Sequence, residues 1–292
     1  MHPLFGPWDP FSIPIGPVSI HGFGILVALG FLFGSNVAQK RATRFGGSAD
    51  AINRLVGWLV LGTFVGGHLG DILWYQPDKL ARDPELFVAM FKKLASFSLP
   101  ALSELPLTLR VWEGLSSFGG FAVCVPLTVY FFWKEKRRFF PHGDALAIGF
   151  TLGWFFGRMG CFSAHDHPGT QTQFWLGVYG MCEGHNVDVA CHDLGLYEAL
   201  WSGVMWIIFE LLARKPRFPG FYCAALALTY APFRMGLDFF RSSSIDVRYG
   251  AFTPAQYGTM VLFLVGLLIV VAQRGKPPMW ATAAESPQPA PS

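Results

Sequence analysis

Residues 143–163 read GDALAIGFTLGWFFGRMGCFS. This apolar run is long enough to cross the roughly 30 Å hydrocarbon core of a bilayer as a helix, yet it carries an arginine, Arg158, in its later part. Holding an arginine near a membrane-helix centre costs roughly 2.5–3.5 kcal/mol even on the lenient insertion scale, so the residue needs a reason to be there. The length of the run decides the fold class, and the misfit charge marks where to look for function.

Working outward, comparable apolar runs lie near 18–38, 55–75, 115–133, 194–213, 218–240 and 255–273, which with 143–163 makes seven expected spans. Composition agrees: charged residues make up only 14% of the chain and hydrophobic ones 52%, with a mean hydropathy of +0.38, a balance suited to lipid rather than water. The formal net charge of +3 is too small to point to a nucleic-acid partner. The expected class is therefore an all-α, polytopic integral membrane protein with seven transmembrane helices and a periplasmic-side loop or arm region. Residues 1–274 are expected to form a single domain, and 275–292, rich in Pro, Ala and Ser, a disordered cytoplasmic tail. The proline-rich first 17 residues have no basic stretch, so the first apolar span is expected to stay in the protein rather than be cleaved.

Cations alternate between connections. Lys40, Arg41 and Arg44, then Lys134, Lys136, Arg137 and Arg138, then Arg214, Lys215 and Arg217, then Arg274 and Lys276 form clusters that the positive-inside rule makes cytoplasmic. The connections 76–114, 164–193 and 241–254 dilute their cations among Asp83, Glu85, Glu104, Asp188 and Asp246 and are expected outside, with the N-terminus outside and the C-terminus cytoplasmic. Residues 84–97 (PELFVAMFKKLASF) suit either an interfacial helix or an amphipathic helix packed on the bundle. No internal repeat supports a transporter built from inverted halves. Of five cysteines, Cys124 and Cys223 fall in apolar segments and are given no chemistry. Cys182 and Cys191 share an outward loop where an oxidising compartment permits a bridge.

Charged residues inside the spans are the candidate functional groups. Tyr230, Arg234 and Asp238 recur every four residues and Arg241 follows a turn later, so one face of the sixth span presents a phenol, two guanidiniums and a carboxylate. In the bland reading Arg234 pairs with Asp238 and Arg158 snorkels to the outer interface. In the functional reading two unpaired guanidinium forks await a lipid phosphate, whose oxygens they match bidentately, with Gly157 and Gly160 allowing a headgroup close to Arg158. Glu198, at the outer start of the fifth span, is either a helix N-terminal charge with no further role or an orienting group for an arginine. The fourth span exits through His165-Asp166-His167-Pro168-Gly169, where Pro168-Gly169 is expected to turn the chain. Its imidazoles are candidate proton acceptors, surface histidines without a role, or metal ligands together with His185 or His192, although the spacing matches no standard zinc motif.

Five short motifs occur in order: Gly66-Gly67-His68-Leu69-Gly70-Asp71-Ile72-Leu73-Trp74-Tyr75, then Gly114 to Gly120, then Asp144-Ala145-Leu146-Ala147 through Gly157-Arg158-Met159-Gly160, then Leu196-Tyr197-Glu198, then Phe233-Arg234 with Asp238-Phe239-Phe240-Arg241. From about His21 to Arg274 they resemble the prolipoprotein diacylglyceryl transferase family. The resemblance implies an enzyme of the bacterial cytoplasmic (inner) membrane that moves the diacylglyceryl group of phosphatidylglycerol onto the lipobox cysteine thiol of prolipoproteins. A thioether forms and glycerol phosphate leaves. The implied partners are phosphatidylglycerol, signal peptides bearing a lipobox cysteine, and the membrane. Neither a metal nor another cofactor is implied, and nucleic acid is not a partner. Arg158 and Arg234 take the catalytic and phosphate-binding roles, and Tyr230, Asp238, Arg241, His21, Glu198, Ser117, Gly119 and Gly120 line the substrate. This chain has Phe118 where the family carries a histidine, Phe23 where an aromatic hydroxyl is expected beside His21, and Cys161 and Ala164 where amides are expected. His165 or His167, aided by Asp166, is expected to replace the missing base. The alternatives are a paralogue that binds lipid or a protein partner without turnover, and a metal-dependent membrane hydrolase.

Overall fold

The computed structural model describes residues 3–15, 18–75, 116–182, 187–241 and 250–280. Seven α-helices occur among them: α1 (Gly22–Arg44), α2 (Ala49–Gly70), α3 (Ser117–Glu135), α4 (Phe139–Ala164), α5 (Leu194–Leu212), α6 (Phe221–Asp238) and α7 (Pro254–Gln273). Each overlaps one of the apolar runs. A π-helical turn, Asp71–Tyr75, extends α2. Five of the seven, α1, α2, α4, α5 and α7, are long and apolar enough to cross a membrane, and the chain is a multi-pass membrane protein. The two others, α3 and α6, each contain a proline, Pro126 and Pro232.

The fold is mostly but not purely helical. Strands β1 (Ser12–Ile15) and β2 (Val18–His21) pair antiparallel, with Ile13 opposite Ile20. β2 occupies the first residues of the expected first span and β1 lies ahead of it, since the β-branched residues Ile13, Ile15, Val18 and Ile20 favour extended chain. A second sheet, of β3 (Pro168–Gln171), β4 (Val178–Tyr179) and β5 (Ala190–Asp193) in the order β3-β5-β4, forms from the connection between α4 and α5. Cys182 and Cys191 are bridged there, with Cα atoms 5.5 Å apart. Phe5, Trp8 and Phe162 pack on the bridge together with Val178 and Met181, and the Tyr179 N–H donates to the Phe5 carbonyl at 3.1 Å. Pro168-Gly169 opens β3 rather than turning the chain. The turn comes earlier, at His165, which ends α4 in the left-handed region with φ 53°. Gly169 is needed for close approach, since a Cβ there would lie 2.8 Å from the Phe240 carbonyl oxygen.

The chain divides into two compact units, Met1–Ile52 with Arg138–Ser292, and Asn53–Arg137. In the first, α4 packs along α1, α5 packs on α4, and α6 on α7 and α4. The α1–α4 seam is a backbone-to-backbone contact: a Cβ on Gly34 would lie 2.7 Å from the Gly149 carbonyl oxygen, and one on Gly30 equally close to that of Gly153. Small residues four apart on both helices permit this approach, the usual means of joining helices in lipid.

The basic connections of this unit gather at one end. Arg41 of α1 pairs with Glu210 of α5, and the Ser48 N–H donates to His142 Nε2 at 3.0 Å. Trp280 lies under the Arg44 guanidinium at 4.3 Å. Asp144, fully buried near the start of α4, accepts from the Gly220 N–H at 2.8 Å and the Cys223 N–H at 2.9 Å. It thereby satisfies donors that the N-terminus of α6 would otherwise leave orphaned. The β3-β5-β4 sheet, the C-terminal end of α4 and the N-terminal end of α5 form the opposite end.

In the second unit Gly119 of α3 meets α2 so closely that a Cβ would lie 2.1 Å from the Gly66 carbonyl oxygen. Arg54 pairs with Glu135 at 2.8 Å. The 84–97 segment expected as an interfacial or packed helix, with most of its connection, lies outside the described residues, as does the end of the tail, 281–292.

Candidate active site

Three helices of the first unit deliver the intramembrane charges to one place. Arg158 of α4 is 8% exposed and Glu198 of α5 is 2% exposed. Arg158 Nε lies 2.7 Å from Glu198 Oε2, and Arg234 Nε of α6 lies 3.1 Å from Glu198 Oε1. One carboxylate thus sits between the two guanidiniums. It also accepts from Tyr230 OH at 3.1 Å and from the Trp154 indole N–H at 3.2 Å, both on Oε2. Trp154 stands one turn before Arg158 on α4, and its ring lies 4.6 Å from the Arg158 Cζ, a cation–π contact that holds the guanidinium plane.

Arg234 continues to Asp238, four residues on, and Asp238 Oδ1 also faces Arg241 Nε at 3.5 Å. The other oxygen of Asp238 accepts from Thr253 Oγ1 at 2.5 Å. The two arginines are therefore not the unpaired forks that the sequence suggested. Each is paired, because a carboxylate on a third helix, invisible to any single-helix periodicity, enters between them. Glu198 faces both guanidiniums.

Apart from Glu198, the contacts of Arg158 among the described residues are neutral. Its NH1 lies 3.1 Å from His167 Nε2 and 3.6 Å from Cys161 Sγ. His167 Nδ1 lies 2.5 Å from Asp166 Oδ1. That pairing puts the imidazole proton on Nδ1, where the carboxylate accepts it, and leaves Nε2 as an acceptor facing Arg158. His165 turns elsewhere: its ring lies tilted against Trp8 at 4.1 Å between centroids, and its Nδ1 lies 3.9 Å from Asp193 Oδ2. Asp193 in turn caps α5 by accepting from the Leu196 N–H at 2.8 Å. Burial pushes the Asp193 carboxyl above its usual range, opposed by the neighbouring His165.

Cys161, Asp166 and His167 offer ligand atoms within 4.8 Å of one another, the one such metal-sized group among the described residues. Arg158 NH1 stands against two of them, and a fixed positive charge there opposes a cation and favours an anion. His192, the other described histidine considered as a ligand, is engaged by Tyr197 OH at 2.7 Å, and His185 lies outside the described residues.

The structure thus brings together Arg158, Glu198, Tyr230, Arg234, Asp238, Arg241, Asp166 and His167. The sheet helps to hold them, since the Thr170 N–H of β3 donates to the Phe240 carbonyl at 2.7 Å, tying the His167 segment to the end of α6. His21 is an exposed residue at the end of β2, where it precedes α1. Ser117, Gly119 and Gly120 begin α3 in the other unit. Sequence reasoning missed Trp154 and Thr253. For Trp154 the i, i+4 spacing to Arg158 was a usable sign; for Thr253 the sign was Thr253-Pro254-Ala255-Gln256, a capping-box pattern ahead of an apolar run.

Fold and site together define a multi-pass membrane protein with a buried arginine–carboxylate centre at one end of its bundle. Residues 10–272 match the family described as prolipoprotein diacylglyceryl transferase. The phosphatidylglycerol–prolipoprotein diacylglyceryl transferase of Chromohalobacter salexigens is 31% identical over 277 residues, covering 92% of this chain and 94% of the relative. The enzyme of the same name from Serratia proteamaculans is 28% identical over 300 residues, covering 94% and 96%, and that from Pasteurella multocida 29% over 276 residues, covering 91% and 93%. The chain belongs to the prolipoprotein diacylglyceryl transferase family.

Proposed function

We propose that this protein is a phosphatidylglycerol:prolipoprotein diacylglyceryl transferase and that the Arg158–Glu198–Arg234 centre holds the lipid phosphate. The observation that carries the site assignment is the sharing of one buried carboxylate by two guanidiniums from different helices, with Arg158 NH1 turned to His167 and Cys161. A phosphate oxygen arriving beside Arg158 would exchange those weak contacts for charge-assisted ones.

The reaction forms one bond and breaks one. The substrate cysteine sulfur attacks the glyceryl carbon that bears the phosphodiester, the carbon–oxygen bond to phosphate breaks, and glycerol phosphate leaves with the bonding electrons. A free thiol with a pKa near 8.5 is only a few per cent ionised at pH 7, so a base speeds the step. His167 Nε2 takes the thiol proton in this reading, and Asp166 stabilises the imidazolium that results. Arg158 occupies Nε2 beforehand; drawing its NH1 onto the phosphate frees the base only when lipid is bound. Arg158 and Arg234 then stabilise the negative charge that gathers on the leaving phosphate, in a site where water is scarce. His165, on Trp8 and Asp193, has a supporting place rather than a chemical one.

In the same reading all seven helices cross the bacterial cytoplasmic membrane, with the basic end inside and the β3-β5-β4 arm on the periplasmic side. An oxidising compartment suits the Cys182–Cys191 bridge found in that arm. The deciding assay incubates the detergent-purified chain with phosphatidylglycerol and a lipobox peptide and seeks a diacylglyceryl adduct on the peptide cysteine by mass spectrometry. An adduct that persists in chelator is expected. Lipid binding with no adduct would instead mean a non-catalytic relative, and adduct formation abolished by chelator a metal-dependent enzyme.

A further inference from the structure

We infer that Thr253 is a positioning residue for the transfer, acting on Arg234 through Asp238; the inference rests on the function proposed above. Thr253 is 2% exposed and is the N-cap of α7. Its Oγ1 accepts from the Gln256 N–H at 3.2 Å, while the Gln256 side-chain oxygen accepts from the Thr253 N–H at 3.0 Å. This reciprocal box fixes the threonine rotamer, as such boxes do, and leaves the hydroxyl proton one destination, Asp238 Oδ2 at 2.5 Å.

Asp238 is itself 1% exposed, and its Oδ1 is the oxygen that meets Arg234 and Arg241. The two oxygens therefore have separate duties. Without the Thr253 hydroxyl, nothing among these contacts keeps Oδ2 away from Arg234. The carboxylate can then rotate to take the guanidinium in the two-pronged geometry that arginine and carboxylate prefer. Arg234 would be drawn toward Asp238 and away from Glu198 and the phosphate. Thr253 thus keeps Asp238 one-pronged, so that Arg234 stays divided between its carboxylates and free to turn donors to the lipid.

A helix cap could account for Thr253 without any part in the reaction, and the test separates the two roles. The full chain is assayed for adduct formation as Thr253→Ser and Thr253→Gly, each alone and combined with Asp238→Asn. Serine restores both cap and donor and is expected within about twofold of the unmodified rate. Glycine caps almost as well as threonine but has no hydroxyl, so kcat is expected to fall about tenfold or more, with the peptide KM and thermal midpoint little changed. In the Asp238→Asn background the glycine effect should shrink to about twofold or less, since residues acting through one another are not additive. Should the glycine variant not fold, Thr253→Ala, which lacks the hydroxyl and gives up about 0.5–2 kcal/mol of capping, is assayed per folded molecule, and the same loss of kcat is expected. An unmodified kcat in the variant lacking the donor, or an equal loss in both backgrounds, overturns the role while leaving the transferase reading intact. No adduct from the unmodified chain refutes that reading and this inference with it.

Discussion

Replacing Glu198 by alanine tests the centre most directly. The carboxylate receives the Tyr230 hydroxyl and the Trp154 N–H, and it faces the Nε of both Arg158 and Arg234. Arg234 would keep Asp238; among the described residues Arg158 would keep His167, Cys161 and the Trp154 ring, so the uncompensated charge falls on Arg158. Removing one partner of a buried ion pair costs about 3–5 kcal/mol. The phenol and indole each lose an acceptor worth up to about 1–3 kcal/mol, but these losses overlap and do not add. Taking the ion-pair figure alone, and roughly 2–4 °C per kcal/mol for a domain of this size class, the thermal midpoint should drop by about 10 °C. Glutamine does not repair the site, because its amide presents donors either to Arg234 or to the group of donors at Oε2. Scanning fluorimetry in detergent reads the stability and the peptide-adduct assay reads the rate, which should fall about 100-fold or more. A lipid phosphate can stand in for the lost carboxylate between the guanidiniums, so phosphatidylglycerol should raise the midpoint of Glu198→Ala more than that of the unmodified chain. An alanine variant with unchanged midpoint and rate would refute the claim that this carboxylate organises the site.

Arg158→Lys and Arg234→Lys should each slow adduct formation about 100-fold or more, since an ammonium cannot reproduce the planar fork that reaches two partners at once. His167→Ala should lower the rate about 100-fold, whereas His165→Ala should lower the thermal midpoint with the rate per folded molecule changed far less; the reverse pattern would reassign the base. Gly34→Ala should destabilise the chain by about 1–3 kcal/mol or more, seen as loss of the monodisperse peak in size-exclusion chromatography, because its Cβ would stand 2.7 Å from the Gly149 carbonyl oxygen. Burial pulls His192 below the ordinary imidazole value, so below about pH 6.5 the unfolded chain binds more protons than the folded one and stability falls as pH falls. Midpoints measured between pH 7.5 and pH 5 should show that loss, and His192→Phe should reduce its slope.

Much of the architecture was legible in the residues themselves. Hydrocarbon thickness sets a length that an apolar run either reaches or does not, so all seven helices fall on runs visible in the chain. The shared face of Tyr230, Arg234 and Asp238 followed from the 3.6-residue period alone, and the Arg234–Asp238 pair of the bland reading is present. The β1–β2 hairpin was not legible as such, because Val18 and Ile20 extend an apolar run whether the chain is helical or extended there. His165 and His167, two residues apart, were equivalent on paper; the left-handed turn at His165 sends one to Trp8 and Asp193 and leaves the other beside Arg158 and Asp166.

By itself the sequence determined that the chain is a multi-pass membrane protein, where its helices lie and which charged residues lipid should not tolerate, because each of these depends on length, period and composition within one segment. Only the tertiary structure decided that Glu198 stands between Arg158 and Arg234, that Thr253 holds Asp238, and that Asp144 closes the start of α6. These contacts join different helices. Whether two side chains on separate helices meet depends on the relative rotation and depth of those helices, which close glycine seams such as Gly34 on Gly149 set and no single-helix pattern encodes.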